Sequence, residues 1–278
     1  MTPLANLYDL FGPFYEPVFM KRAAWALLLL TVATSASGVI VVNRRMAFFP
    51  DAVGHSIFAG VALALILQTN IQLTVLALGL IIGLTIIFLV GRSHLAHDTV
   101  IGLVFSGAVA LGLALVSRQP QATAGLSRFF LGDVLTVGDV QVLALMALAV
   151  ISFLFLWAFT NKLTLNSIIR PISLKPDLSE YLFGAYLALV VVVSVQAVGV
   201  LLVTALLVAP AATGRVMAAS FKGMFWASII SGILAGQIGL WASFQPEINT
   251  TTGATVVIVN VLFFALAVGY RRIVPVKG

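Results

Sequence analysis

The feature that most constrains this chain is a series of apolar runs, each about 20 residues long, that recur from Ala23 to Ala267. About 20 apolar residues is the length that an α-helix needs to cross the hydrocarbon core of a bilayer. Only 9% of the 278 residues are charged, whereas soluble domains carry roughly 25%. The alternating apolar and polar pattern of a membrane β-barrel does not occur. The sequence therefore predicts a polytopic, helical membrane protein.

One all-α transmembrane helical bundle of about eight or nine spans accounts for almost the whole chain. Residues 23–272 form the single transmembrane domain, 1–22 an aromatic interfacial segment and 273–278 a cytoplasmic tail. Gly199 precedes the seventh span closely and Pro210 interrupts it, so a re-entrant segment is an alternative there. The predicted spans are 23–43, 50–68, 71–91, 98–117, 140–160, 180–197, 198–214, 225–243 and 253–270.

Basic residues orient the spans, because cytoplasmic loops carry an excess of Lys and Arg. With nine spans, eleven of the fifteen Lys and Arg fall on one side of the membrane. This pattern predicts an outside N-terminus and an inside C-terminus. The net charge of +6 does not indicate nucleic-acid binding, since no basic patch with interleaved aromatic residues occurs.

The stretch between the fourth and fifth spans is too apolar for a simple solvated loop. It predicts a short helix at the membrane surface, carried by apolar side chains: Phe129, Phe130, Leu131, Val134 and Leu135.

Asp51 and His55 are the residues most indicative of chemistry. They stand four apart at the start of the second span, so a helix places both side chains on one face, one turn apart. Ionisable groups in a membrane segment are costly, and a carboxylate beside an imidazole suits zinc or manganese. The alternative is structural: Asp51 begins the helix after Pro50, and His55 makes a hydrogen bond.

A second group, His94, His97 and Asp98, stands before the fourth span. Its spacings of three and four also permit a metal site on one helical face, at the cytoplasmic mouth. The alternative is a solvated segment in which Asp98 is an ordinary residue of a first helical turn.

Enzyme classes find little support. The chain has no G-x-x-x-x-G-K-[ST] pattern for nucleotide phosphates and no HExxH pattern of a metalloprotease. A serine protease built on Ser106 with His55 as its base is the remaining alternative, but no local group activates that serine. The sequence therefore predicts a protein that is not itself an enzyme.

Several ordered stretches resemble the zinc/manganese ABC permease family, to which chelated-iron permeases also belong. RRMAFFPDAVGHSIFAGVALA is similar to the family pattern R-R-M-S followed by D-A-x-x-H-x-x-x-x-G, with Ala47 in place of the serine. FMKRA, DTVIGLVFSGAVALGL, FFLGDVLTV and VGVLLVTALLVAPAATGR continue the match over more than 200 residues.

The resemblance implies the membrane subunit of a type II-like, ATP-driven importer in a bacterial or archaeal plasma membrane. It implies a homodimer of permeases, two ABC ATPase subunits on the cytoplasmic face and an extracytoplasmic metal-binding protein. Zinc or manganese would be cargo, with no resident cofactor, and the family's intramembrane ligands fall on Asp51 and His55. The segment from Ala211 and Ala212 through Arg215 to Lys222 is expected to contact the ATPase.

Two transporter alternatives stay open at this point. A proton-coupled secondary metal transporter would use similar intramembrane residues without an ATPase. An ABC permease for an iron chelate, such as haem or a siderophore, would need a wider cavity and fewer metal ligands.

Overall fold

The structure is a computed structural model that describes residues 17–117, 134–169, 176–248 and 250–273. In those ranges the secondary structure is helical, and nine helices are long and apolar enough to cross a membrane. The prediction of an all-α bundle with nine spans is confirmed. The helices are α1 (Val18–Asn43), α2 (Phe49–Leu67), α3 (Ile71–Val90), α4 (His97–Val116), α5 (Asp139–Ile169), α6 (Leu178–Val198), α7 (Val200–Met217), α8 (Phe221–Ser243) and α9 (Thr252–Ile273).

Most helix boundaries differ from the sequence prediction by a few residues, and the first, fifth and seventh helices show the differences that bear on the prediction. α1 begins at Val18, so the last residues of the expected interfacial segment belong to the first helix. α5 continues to Ile169, beyond the predicted end at residue 160. α7 is one continuous 18-residue helix that contains Pro210, and the break before it is made by Gly199 with φ 90° and ψ 159°. A positive φ of this kind favours glycine, because a Cβ atom would be strained there.

The helices pack as two groups. α1, α7, α8 and α9 form the first helix group, and α2, α3, α4 and α6 form the second helix group. Contacts inside the first group are very close: a Cβ atom built on Gly38 of α1 would lie 1.8 Å from the carbonyl oxygen of Leu207 on α7. In the second group a Cβ atom on Gly83 of α3 would lie 2.7 Å from Ala188 of α6. Small residues thus let helix backbones approach closely, as is common in membrane bundles.

α5 joins the two groups because it packs against α1 on one side and α6 on the other. Buried polar contacts also link them, and the Ser37 hydroxyl of α1 lies 2.6 Å from the Tyr186 hydroxyl of α6. In hydrocarbon such a bond has no competing water, so it fixes which faces of the two helices meet.

Basic residues gather at one end of the bundle, called the basic end below. Arg215 near the end of α7 donates to the Asn43 side chain at the end of α1, and Arg271 near the end of α9 donates to the Arg215 and Val216 carbonyls. Arg22, in the first turns of α1, instead pairs with Asp139 at the start of α5. Which end faces the cytoplasm stays a prediction.

Some sequence predictions concern residues outside the described ranges. These are most of the interfacial segment, the tail, and Phe129, Phe130 and Leu131 of the predicted surface helix. The end of that stretch is described, and Val134–Thr136 forms a short 3₁₀ turn that packs against α1.

Candidate metal-passage site

The connection between α1 and α2 determines where Asp51 and His55 lie. It is a tight reversal in which the Met46 N–H donates to the Val41 carbonyl and the Phe49 N–H donates to the Met46 carbonyl, at 3.0 Å each. Arg45 has φ 56°, which turns the chain back toward the bundle. Pro50 then occupies the first turn of α2, where its missing N–H costs no helical hydrogen bond.

Asp51 and His55 are both half-buried and stand one turn apart on α2. The Nδ1 atom of His55 lies 2.9 Å from the backbone carbonyl oxygen of Asp51. Because a carbonyl can only accept, the neutral ring carries its proton on Nδ1 and its lone pair on Nε2. A histidine whose Nδ1 is held by a carbonyl is oriented to ligate a metal through Nε2.

Aromatic rings surround the imidazole. The His55 ring packs edge-on against Phe58 of the same helix at 5.9 Å and against Phe105 of α4 at 5.1 Å between centroids. The neighbouring Gly54 faces the opposite way, since a Cβ atom there would lie 3.1 Å from Val200 of α7. α2 thus presents Gly54 to α7 and the His55 ring to α4.

The pair lies in the half of α2 nearest the basic end. His55 is six residues into the helix, so it stands about 9 Å along the axis from Phe49. No group of three or more His, Cys, Asp and Glu able to hold a metal ion occurs within the described ranges. His, Cys, Asp and Glu side chains of the described ranges therefore supply at most two ligands here.

The second predicted group is dispersed. His94 and Asp98 are exposed, whereas His97 is half-buried and its Nδ1 lies 2.8 Å from the backbone carbonyl oxygen of Arg44. His97 thus ties the start of α4 to the end of α1. A metal site at these three residues stays a prediction.

Arg44 is a residue that the sequence reasoning used only for orientation. Its side chain is 10% exposed, lies 3.7 Å from the Glu180 carboxylate and donates to the Leu163 carbonyl at 3.1 Å. Its guanidinium also lies over the Phe183 ring, 5.5 Å from the centroid. Burial lowers the pKa of Arg44 and Glu180 raises it in part, but arginine starts so high that the group stays charged. The partners are more than 100 residues away in sequence, so no local pattern indicates them.

The expected ATPase-contact segment runs from the end of α7 into α8. Ala211 is buried against Gly38 of α1, and Ala212 is half-buried. Arg215 and Lys222 are exposed on either side of the short connection between the helices. The Ser220 side chain accepts from the Gly223 N–H and so caps α8. Any contact with a partner at this turn would use Arg215 and Lys222, while Ala211 serves the internal packing.

The nine membrane-length helices of the described ranges indicate a multi-pass membrane protein, and an ionisable pair inside one of them is typical of ion pathways. Comparison with known proteins gives the family: residues 16–271 match the family described as "ABC 3 transport family". The chain belongs to this family, which confirms the resemblance drawn from its sequence.

Relatives and a solved structure agree with the assignment. The chain is 30% identical over 253 residues to the manganese import system permease protein ScaB of Streptococcus gordonii, covering 90% of each chain. It is 32% identical to the zinc transport system membrane protein TroC of Treponema pallidum, covering 91% of this chain and 90% of that protein. PsaBC from Streptococcus pneumoniae, solved in complex with Fab, superposes with a TM-score of 0.77 at 25% identity and covers 96% of this chain and 99% of that one.

Proposed function

We propose that this chain is the permease subunit of an ATP-driven importer of divalent metal ions, zinc or manganese, and that Asp51 and His55 lie on the ion path. The observation that supports the ion path most directly is the half-buried pair on α2, with the His55 ring oriented by the Asp51 carbonyl. A carboxylate and an Nε2 lone pair, one turn apart, replace part of the hydration shell of a divalent ion.

The pair must bind its ion modestly, because a site that holds an ion too tightly cannot pass it on. An external binding protein delivers the ion at the end opposite the basic end. Asp51 and His55 then hold it in the inner half of the bundle, with water or a second copy of the chain completing the ligand set. ATP binding and hydrolysis on partner subunits repack the helices and open the passage inward.

The ligand chemistry does not choose between zinc and manganese. Imidazole nitrogen suits zinc, carboxylate oxygen suits manganese, and the general order of affinities places zinc above manganese. The external binding protein therefore does most of the selecting. Relatives named for manganese and for zinc are consistent with one permease architecture that serves both ions.

ATP hydrolysis belongs to a partner, and the exposed turn between α7 and α8 is the proposed contact with it. Arg215→Glu reverses the charge there and should lower both ATPase stimulation and assembly of the complex. Arg215 also donates to Asn43, so Asn43→Ala is the matched control: it removes the internal bond and leaves the exposed charge. Equal losses in the two variants would contradict a direct contact.

The decisive experiment is uptake of radioactive zinc and manganese into proteoliposomes that hold the chain with its ATPase and binding protein. Asp51→Asn and His55→Gln should each reduce ATP-dependent uptake at least about tenfold, with assembly retained. Asp139→Asn removes an exposed carboxylate at the opposite end of the bundle and should have little effect. Undiminished uptake in both Asp51 and His55 variants would refute the proposed ion path.

The same assay separates the alternatives. Uptake that continues without ATP and follows a proton gradient would indicate a secondary transporter. Uptake of an iron chelate that free zinc and manganese do not inhibit would indicate a chelate permease.

A further inference from the structure

Arg44, at the end of α1, contacts three other helices. Its guanidinium binds the Leu163 carbonyl of α5 and the Glu180 carboxylate of α6 and lies over Phe183. Its own backbone carbonyl accepts from His97 at the start of α4. Four helices therefore meet at one largely buried cation, at the basic end of the bundle.

The connection between Arg44 and the Asp51–His55 pair is tightly held by backbone hydrogen bonds and by buried side chains. From the end of α1 the backbone is hydrogen-bonded almost continuously: the Arg44 N–H donates to Ile40, Met46 to Val41, and Phe49 to Met46. Met46 and Phe49 are buried, at 2% and 0% exposure, so this connection cannot shift without disturbing the core. A displacement at Arg44 is consequently transmitted to the first turn of α2.

α4 contacts both Arg44 and His55. Its first residue, His97, bonds to the Arg44 carbonyl, and two turns further along its Phe105 ring packs on the His55 ring. The start of α4 is thus tied to the same junction that precedes the start of α2. The pair is thus bracketed on two sides by segments that lead back to Arg44, the reversal before α2 and the start of α4.

From this bracketing we infer that Arg44 is a positioning residue for the Asp51–His55 pair: it sets the distance and angle between the two ligands and α4. The inference rests on the proposed function, because it assumes that the pair binds the transported ion. It differs from a general stabilising role, since that role would lower the stability of the bundle without changing how the pair holds metal. Outer contacts that orient metal ligands are worth about 10- to 100-fold in affinity.

The test is a Mn²⁺ titration of the full chain in nanodiscs with its ATPase partner, in which the EPR signal reports unbound ion and zinc competes. Arg44→Gln should weaken Mn²⁺ binding about tenfold, the low end of that range, because it acts through backbone and not through a ligand bond. Arg92→Gln is the matched control: it removes another cation stacked on a ring, Phe88 at 4.4 Å, without touching the pair. It should leave Mn²⁺ binding unchanged.

A double-variant cycle distinguishes positioning from general stabilisation. If Arg44 acts through the pair, Arg44→Gln should add no further loss of Mn²⁺ binding in a His55→Gln background, while each change still adds to the fall in melting temperature. Independent, additive losses of binding would overturn the inference. So would wild-type Mn²⁺ binding in Arg44→Gln.

Two further variants cover the case in which Arg44→Gln fails to assemble. Arg44→Lys keeps the charge but not the planar group that both donates to Leu163 and stacks on Phe183, so it should show an intermediate loss of affinity. Glu180→Gln removes only the ion pair and should show a smaller loss. Wild-type binding in both would equally overturn the inference. If His55→Gln and Asp51→Asn themselves bind Mn²⁺ normally, the proposed ion path fails first, so the two failures are distinguishable.

Discussion

Replacing Gly38 by alanine should force α1 and α7 apart at a point where their backbones nearly touch. The added Cβ atom would lie 1.8 Å from the Leu207 carbonyl oxygen and 2.9 Å from its carbonyl carbon. Both are main-chain atoms inside a helix, so no side chain can rotate away to make room. The two helices, or the turn of α7 around Leu207, must move.

The size of that movement gives the expected cost. Real Cβ atoms essentially never approach a heavy atom closer than 3.0 Å, so the separation must grow by about 1.2 Å. A gap of 0.5–1 Å already forfeits roughly a quarter to a half of the dispersion energy of the atoms that line it. We expect a destabilisation of about 2–3 kcal/mol, in the upper part of the range for overpacked cores. That corresponds to a fall of about 4–12 °C in apparent melting temperature.

The assay is the apparent melting temperature of the purified chain in nanodiscs, with Gly269→Ala as the matched control. Gly269 lies on α9, and a Cβ atom there would meet nothing within 4 Å. Its replacement should leave the melting temperature unchanged or raise it slightly, because alanine favours helix more than glycine does. If both variants melt like the wild type, the close crossing of α1 and α7 is wrong, and with it the first helix group.

Three further predictions use the same melting assay. Tyr186→Phe should cost about 1 kcal/mol, because it removes the hydroxyl that is hydrogen-bonded to Ser37. Ser37 keeps its other hydrogen bond, to the Ala33 carbonyl. An unchanged melting temperature would mean that the Ser37–Tyr186 hydrogen bond is absent. Gly199→Val should cost about 1–3 kcal/mol because it places a β-branched residue at φ 90°, and tolerance of valine would contradict the break between α6 and α7. Arg22→Ala should cost less than about 1 kcal/mol, because its ion pair with Asp139 is exposed; a larger loss would show that the pair is shielded from solvent in the bilayer.

The number of helices could be predicted from the sequence because the bilayer demands one apolar run for each crossing. The ends of the helices could not, since an apolar run measures only the part of a helix in hydrocarbon. α1 begins before Lys21 and Arg22 because long basic side chains reach the interface from within a helix. α5 continues past residue 160 into a polar sequence, because a helix satisfies its own backbone hydrogen bonds in water as well as in lipid.

Part of the candidate site could be predicted from the sequence and part could not. The Asp51–His55 pair follows from spacing alone, because residues four apart share a helical face. The junction at Arg44 depends on side chains from α4, α5 and α6, and tertiary contacts at such separations leave no periodic trace in a single sequence. For the same reason the spacing of His94, His97 and Asp98 does not reveal that the His97 Nδ1 contacts a carbonyl 53 residues earlier.

The packing of α1 also has a consequence for how the protein is made. The hydrogen bond between Ser37 and Tyr186 cannot form until Tyr186 is synthesised, 149 residues later. The bond from Gln237 to the Ala24 carbonyl requires a residue that is synthesised 213 residues later. At about 5–20 residues per second, the first of these partners emerges from the ribosome roughly 7–30 seconds after Ser37. Meanwhile the hydroxyl-bearing side of α1 sits in lipid without its final neighbours, whereas α2 and α3 are made in succession and can pair at once. α1 is therefore made before the other eight helices of the described ranges but is among the last of them to complete its native contacts.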